Sequence, residues 1–255
     1  MDYRSSRFDQ VFALAILVLI AVVAVVSIGG YLWRTPRTAD GPGGTVLGPR
    51  IRKWYVDTLL PFEELCVAWG IRPAVLSYTQ VGSSFLVACC YARGMLFTGG
   101  WLLLFTGTMD VIDGRVARRT KRDSVRGAFL DSVIDRYADA FAYFGLAMFF
   151  HGSWVLWVVL FALLGSLMTS YTRARAEGLG MQCRVGWLQR PERYVILGFG
   201  TIFGALFEHL TGPWLPDQPY TLVVLTLVVL AVLVNLTALQ RVVHVWRALG
   251  EPARA

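Results

Sequence analysis

Uncharged apolar runs alternate with short polar connections along nearly the whole chain, and no stretch shows the two-residue alternation of a half-buried strand. The first run, Val11 to Leu32, is long enough to cross the ~30 Å hydrocarbon core as a helix. It is longer than the apolar region of a secretory signal and no small-residue cleavage site follows, so a retained anchor is predicted over residues 1–33. Pro36, Gly41, Pro42, Gly43 and Gly44 then predict a flexible linker over 34–49. Residues 50–69 mix Arg50, Arg52, Lys53, Glu63 and Glu64 with Trp54, Tyr55, Leu59, Leu60, Phe62 and Leu65, the pattern of a helix lying in the membrane interface. Pro61 is expected to kink or divide that helix. Six further spans are predicted at 74–92, 95–114, 127–150, 154–172, 191–210 and 219–240. The expected fold is therefore all-α and polytopic: a six-helix transmembrane core over 70–245, preceded by the anchor and the interfacial helix and followed by a cytoplasmic tail over 246–255.

Composition agrees with a membrane class. Of 255 residues, 56% are hydrophobic, and the mean hydropathy is +0.54. The formal charge of +7 does not point to nucleic acid, because the basic residues sit in short segments beside apolar runs instead of on a continuous polar surface. Basic residues concentrate in the connections at 115–126 and 173–193 and after 240, whereas those near Arg93, His151 to Ser153 and Thr211 to Gln218 are nearly free of them. By the positive-inside rule the basic connections face the cytoplasm, and the N-terminal anchor runs from outside to inside. Cys66, Cys89, Cys90 and Cys183 lack the paired spacing of a zinc site and read as reduced thiols.

The chemistry concentrates between Asp110 and Asp135. Asp110, Asp113, Gly114 and Ala117 share one face of a helix, and after a basic turn Gly127, Asp131 and Asp135 recur every four residues on a second helix. Folded as an antiparallel hairpin, the two arms bring four carboxylates together, with Gly114 and Gly127 leaving backbone open to a ligand. Carboxylates beside lipid need a positive neutraliser, and oxygen-only ligands favour Mg²⁺, Mn²⁺ or Ca²⁺ over zinc. With Arg118 as a phosphate partner, two such cations suit in-line displacement at phosphorus.

The pattern Asp110-x2-Asp113-Gly114-x2-Ala117-Arg118-x8-Gly127-x3-Asp131-x3-Asp135 resembles the signature of the CDP-alcohol phosphotransferases, with every specified position filled. Gly70-Ile71-Arg72-Pro73 is similar to the segment before that family's first core span, although Ala74 and Ser77 stand where Asn or Asp and Thr are common. The resemblance implies a phospholipid-synthesising membrane enzyme that passes the phosphatidyl group of a CDP-lipid, such as CDP-diacylglycerol, to an alcohol and releases CMP. It implies Mg²⁺ or Mn²⁺, in two ions, on Asp110, Asp113, Asp131 and Asp135. It further implies CDP contacts from Asp110, Gly114, Arg118 and Gly127, a general base in Asp135, a homodimer, and an active site on the cytoplasmic side of a bacterial or archaeal membrane.

A second basic cluster bears on the acceptor. Tyr171-Thr172-Arg173-Ala174-Arg175-Ala176-Glu177 and Arg190-Pro191-Glu192-Arg193 flank one connection, and Pro191 fits a first helical turn, where no backbone donor is lost. Arg173, Arg190 and Arg193 beside a helix N-terminus suit an anion, either an anionic headgroup or a phosphate on the incoming alcohol. These segments resemble the phosphatidylinositol-phosphate synthases and their archaeal-lipid counterparts, which implies inositol phosphate as the acceptor. Glycerol phosphate is the alternative acceptor. A divalent-cation transporter is the more distant alternative, disfavoured because the acidic residues are confined to one hairpin instead of lining several spans. Gly145, Ala147, Gly165, Gly198, Gly200 and Gly204 serve either internal packing or a dimer contact.

Overall fold

The computed structural model describes residues 48–122, 124–183, 185–212 and 220–250, so the predicted anchor, nearly all of the linker and the last residues of the tail lie outside the described residues. Among the described residues seven helices follow one another: α1 (Gly48–Ala68), α2 (Pro73–Ala92), α3 (Leu96–Arg119), α4 (Val125–Phe149), α5 (Val155–Gly178), α6 (Arg190–Thr211) and α7 (Thr221–Gly250). No strand occurs among the described residues, as the hydropathy pattern predicts. α2, α5, α6 and α7 are long and apolar enough to cross a membrane on composition alone. α3 and α4 match them in length, with 24 and 25 residues, but carry the hairpin's charged side chains. α3 runs past the predicted end at 114 to Arg119, and α7 past 240 to Gly250.

Helix ends are set by one repeated device. At the ends of α1, α2 and α5 a glycine with positive φ (Gly70, Gly94 and Gly180) lets the next residue's N–H reach back to the carbonyl of Cys66, Cys90 or Ala176. α3 ends in the same geometry, with Arg122 N donating to Ala117 O at 2.9 Å, yet its left-handed position is held by Lys121 at φ 54°. A side chain there costs about 1–2 kcal/mol. α4 then starts on Ser124, whose hydroxyl accepts from Gly127 N at 3.0 Å.

The helices pack mainly as α2 on α3 and α4, α3 on α6, and α5 on α7. Tyr91, Leu96, Leu103, Leu146, Leu227 and Leu230 are among the largest fully buried side chains of that bundle. Small residues set the close approaches within the chain. A Cβ on Gly145 would stand 2.6 Å from Ala88 O, one on Gly198 2.7 Å from Leu104, one on Gly200 2.2 Å from Thr226, and one on Gly204 2.4 Å from Val223. Gly165 likewise meets Asn235. Of the two uses weighed for these glycines, internal helix packing is the one observed.

α1 is one continuous helix through Pro61, which corrects the expected division. Pro61 is exposed, so its ring and missing N–H fall on the open side, while the opposite side is anchored to α3 on both flanks of the proline. Tyr55 Oη hydrogen-bonds Thr108 Oγ1 at 2.7 Å, and Glu63 accepts from Arg115 at 2.6 Å and Arg119 at 3.3 Å. Cys66 packs with Leu76, Met109, Ile112 and Val116. Phe62, Leu65 and Trp69 remain exposed on the outer side, the stripe an interfacial helix offers to lipid.

Two glycines test this packing. Gly145→Ala forces a Cβ against the backbone of Ala88, which no rotamer change relieves, and is expected to cost about 1–3 kcal/mol. Gly82 has nothing within 4 Å of its Cβ position, so Gly82→Ala is expected to be neutral or stabilising by about 0.5–1 kcal/mol. Thermal denaturation midpoints in detergent should fall for the first variant and hold or rise for the second.

Candidate active site

The α3–α4 hairpin forms as the spacing predicts, and its carboxylates meet. Oxygen atoms of Asp110, Asp113 and Asp131 lie within 4.8 Å of one another. Asp113 sits on the buried stripe of α3, 4% exposed, with Ser77 Oγ donating to its Oδ2 at 2.8 Å. Asp131 Oδ1 is buried without a hydrogen-bond partner. Three convergent carboxylates with an orphaned anionic oxygen are an unbalanced arrangement in a membrane protein unless a cation joins them, and the all-oxygen set suits a hard divalent ion. The residues present therefore fit the expected Mg²⁺ or Mn²⁺.

Asp135 lies beside this trio but is engaged differently. Its Oδ1 contacts Arg190 Nη1 at 2.6 Å and accepts from Gln80 Nε2 at 3.2 Å. The same two donors reach Asp110 Oδ1, at 2.8 and 3.3 Å. Arg190 also contacts Asp139 Oδ1 through Nε at 3.3 Å and packs over the Tyr194 ring at 5.0 Å. It starts α6, where Gln189 and Glu192 form a capping box and Pro191 occupies the first turn as expected. Arg190, expected to face an incoming phosphate, has its guanidinium turned in this structure onto the carboxylates of α3 and α4, where the opposite charges are.

Asp139 completes the acidic face. It continues the four-residue series from Asp131 and Asp135, is 4% exposed, and accepts from Ser166 and contacts Arg193 Nη1 at 3.4 Å. Arg193 also donates to Ser166 Oγ and to its carbonyl, and its Nε is buried without a partner. These residues line a void of about 10 Å³ together with Tyr143 and Tyr194, space for one water molecule. Arg173, the third predicted anion-binding residue, instead lies exposed and pairs with Glu177 at 2.8 Å. Arg241 stands within electrostatic reach of both Arg173 and Arg193. It is buried, donating to Val185 O at 2.9 Å and Thr169 O at 2.6 Å, and so ties α7 to α5 and to the connection before α6.

A cavity of about 540 Å³ opens where the N-terminal ends of α2 and α4 meet the C-terminal end of α3. Asp113, Gly114, Arg118, Gly127 and Asp131 line it, together with Arg72, Ser77 and Arg122. Gly114 faces the cavity beneath Arg118, whose guanidinium would stand 3.5 Å from a Cβ there. Of the residues expected to contact CDP, Gly114, Arg118 and Gly127 share this wall, while Asp110 lies deeper. One chamber thus presents carboxylates and arginines together, the requirement for a ligand that bears phosphates and meets a cation.

Gln80, Asp139 and Arg241 escape the sequence reading. Asp139 had a signal, the continued four-residue spacing, but lay inside a run read as an apolar span. Gln80 belongs to a three-residue polar series with Ser77 and Ser83, which marks a helix face but not the carboxylates it meets, and Arg241 is a single charged residue late in an apolar helix.

Residues 71–250 match the family model of CDP-alcohol phosphatidyltransferase. The chain is 42% identical over 171 residues to an archaetidylinositol phosphate synthase of Methanothermobacter thermautotrophicus, covering 66% of this chain and 81% of that protein. It is 33% identical over 217 residues to a phosphatidylinositol phosphate synthase of Streptomyces avermitilis, covering 82% and 86%. Among solved structures it is similar to the phosphatidylinositol phosphate synthase of Mycobacterium tuberculosis with CDP-DAG bound, at a TM-score of 0.63 and 29% identity over 73% of this chain and 92% of that one. The same synthase in complex with manganese and citrate matches at a TM-score of 0.63 and 28% identity, over 73% and 88%.

Asp139 carries a stability expectation. Asp139→Ala leaves Arg193 buried without its carboxylate and is expected to cost about 3–5 kcal/mol, a fall on the order of 10 °C in the thermal midpoint. Asp139→Asn, which keeps one acceptor and the volume, should fall less. A midpoint for Asp139→Ala within about 2 °C of the parent would show that other groups hold the two arginines.

Proposed function

This chain belongs to the CDP-alcohol phosphatidyltransferase family and is a multi-pass membrane enzyme, and from that premise we propose that it transfers the phosphatidyl group of a CDP-lipid to inositol phosphate, releasing CMP. The observation that carries this reading is the cavity in which Asp113 and Asp131 share a wall with Arg72, Arg118 and Arg122. CDP-diacylglycerol or a related CDP-lipid is the donor, its diphosphate beside the arginines and the exposed backbone of Gly114 and Gly127. Its tails stay in the bilayer.

Asp110, Asp113 and Asp131, with Asp135 at the edge of the trio, would hold Mg²⁺ or Mn²⁺. Such an ion, when bound, offsets charge on the phosphoryl oxygens and lowers the barrier to displacement at phosphorus. Asp135 serves as the general base, taking the proton of the acceptor hydroxyl as that oxygen attacks the lipid-bearing phosphorus. Arg190 neutralises Asp110, Asp135 and Asp139, which lets carboxylates crowd a low-dielectric interior. The acceptor's phosphate falls to the remaining cations, Arg173, Arg193 and Arg241. The synthases of archaetidylinositol phosphate and phosphatidylinositol phosphate among the relatives support inositol phosphate over glycerol phosphate. The basic ends of the helices support a site at the cytoplasmic face, where nucleotide-linked and phosphorylated substrates are made. A second copy of the chain forms a homodimer with it, by analogy within the family.

Purified protein with CDP-diacylglycerol, Mg²⁺ and a panel of alcohol phosphates should release CMP most efficiently with inositol phosphate; a preference for glycerol 3-phosphate would reassign the acceptor. Asp113→Asn should lose both cation-dependent donor binding and transfer, whereas Asp135→Asn should keep donor binding and lose transfer. Loss of donor binding in both would make Asp135 a cation ligand only. Arg193→Ala or Arg241→Ala should raise KM for inositol phosphate about ten- to a hundred-fold, the cost of one charge-assisted hydrogen bond, with a smaller effect on the donor.

A further inference from the structure

α2 carries no charged side chain, yet it meets α3 through a ladder of polar contacts. Ser77 Oγ donates to Asp113 Oδ2 at 2.8 Å, Gln80 Nε2 to Asp110 Oδ1 at 3.3 Å, and Thr106 Oγ1 to Ser83 Oγ at 2.8 Å. Gln80 is the rung that reaches a third helix, since its Nε2 also donates to Asp135 Oδ1 at 3.2 Å. It is wholly buried.

The amide's orientation follows from charge. Turned the other way, its oxygen would face two carboxylate oxygens and repel both. The orientation adopted leaves Oε1 buried without a partner, an arrangement with a cost in stability that packing alone does not explain. Leucine or methionine would fill the same space in a membrane helix and leave nothing unsatisfied. The polar group at this position therefore serves the two carboxylates.

Arg190 Nη1 approaches the same two Oδ1 atoms, Asp110 at 2.8 Å and Asp135 at 2.6 Å. Oδ1 of Asp135 is thus gripped by Gln80 from α2 and by Arg190 from α6, and the carboxylate has a second oxygen that neither holds. We propose that Gln80 is a positioning residue for the transfer reaction: with Arg190 it engages Asp135 Oδ1 and so commits Asp135 Oδ2 to the proton of the attacking hydroxyl. This inference rests on the role of Asp135 as base. In the step it orients, the acceptor O–H bond breaks and its proton passes to Asp135 Oδ2. The acceptor oxygen bonds to the lipid-bearing phosphorus, and the bond from that phosphorus to the bridging oxygen breaks, CMP leaving with the electron pair.

The test compares full-length Gln80→Met, similar in length but without a donor, with Ser83→Ala, which removes the neighbouring rung and touches no carboxylate. Three quantities are read: CMP release with CDP-diacylglycerol and inositol phosphate, Mn²⁺ binding by electron paramagnetic resonance, and the thermal midpoint. Gln80→Met should lower kcat on the order of 10- to 100-fold, as a misplaced base does, while KM for the CDP-lipid and the Mn²⁺ affinity stay within about threefold. Ser83→Ala should keep kcat. If Gln80→Met does not accumulate, Gln80→Asn carries the same expectation, because its shorter amide cannot span both carboxylates. Unchanged kcat in the Gln80 variant, an equal loss in Ser83→Ala, or loss of Mn²⁺ binding alongside kcat would each overturn the assignment. If the unsubstituted protein releases no CMP with any acceptor, the transferase reading itself fails.

Discussion

Five carboxylates crowded into the interior of a membrane-embedded helical bundle are the constraint on which this structure turns. A lone carboxylate in such surroundings is costly, so each needs partners, and nearly every unusual residue of the bundle is one. Asp139 has Arg190, Arg193 and Ser166; Asp135 and Asp110 have Arg190 and Gln80; Asp113 has Ser77. Asp131 keeps an unpaired oxygen. The gradient of satisfaction runs from Asp139, whose two oxygens are both occupied by protein, to Asp131, and it marks where the fold ends and the ligand site begins.

The arginines follow the same logic. Arg190 lies at the start of α6, where a capping box sets the direction of the helix and the side chain reaches three carboxylates on two other helices. Arg115 and Arg119, on the opposite side of α3, hold the buried Glu63 of α1. α3 is thus braced on one side by α1 and on the other by α2 and α6. Its C-terminal turn carries Arg118 at the mouth of the cavity and is held in a strained geometry at Lys121.

Much of this was legible in the residues themselves. Gly127, Asp131 and Asp135 at intervals of four, opposite Asp110 and Asp113, specified the hairpin, its facing sides and its ligand chemistry, because helical periodicity converts spacing into direction. Pro191 marked Arg190 and Arg193 as a pair at a helix start but not what they face, since that depends on how α6 packs on α3. Gln80 shows the limit most clearly. Ser77, Gln80 and Ser83 recur at three-residue spacing on α2, but which carboxylates that face meets is set only by the crossing of α2 over both arms of the hairpin. Pro61 shows the reverse: a local rule predicted a break, and anchoring of α1 on α3 on either side of the proline prevailed.

The depth of the hairpin has a consequence for traffic. Asp110 precedes the end of α3 at Arg119, and Asp135 follows the start of α4 at Val125, by between two and three helical turns, roughly 13–15 Å at 1.5 Å per residue. Bond exchange in the proposed reaction therefore occurs well below the basic turn, at the bottom of a well whose arginine-bearing rim belongs to water. The rim carries Arg118 and Arg122, which favours a phosphate-bearing product leaving toward water, whereas a lipid product keeps its tails in the hydrocarbon and would have to part from the same site in the plane of the membrane.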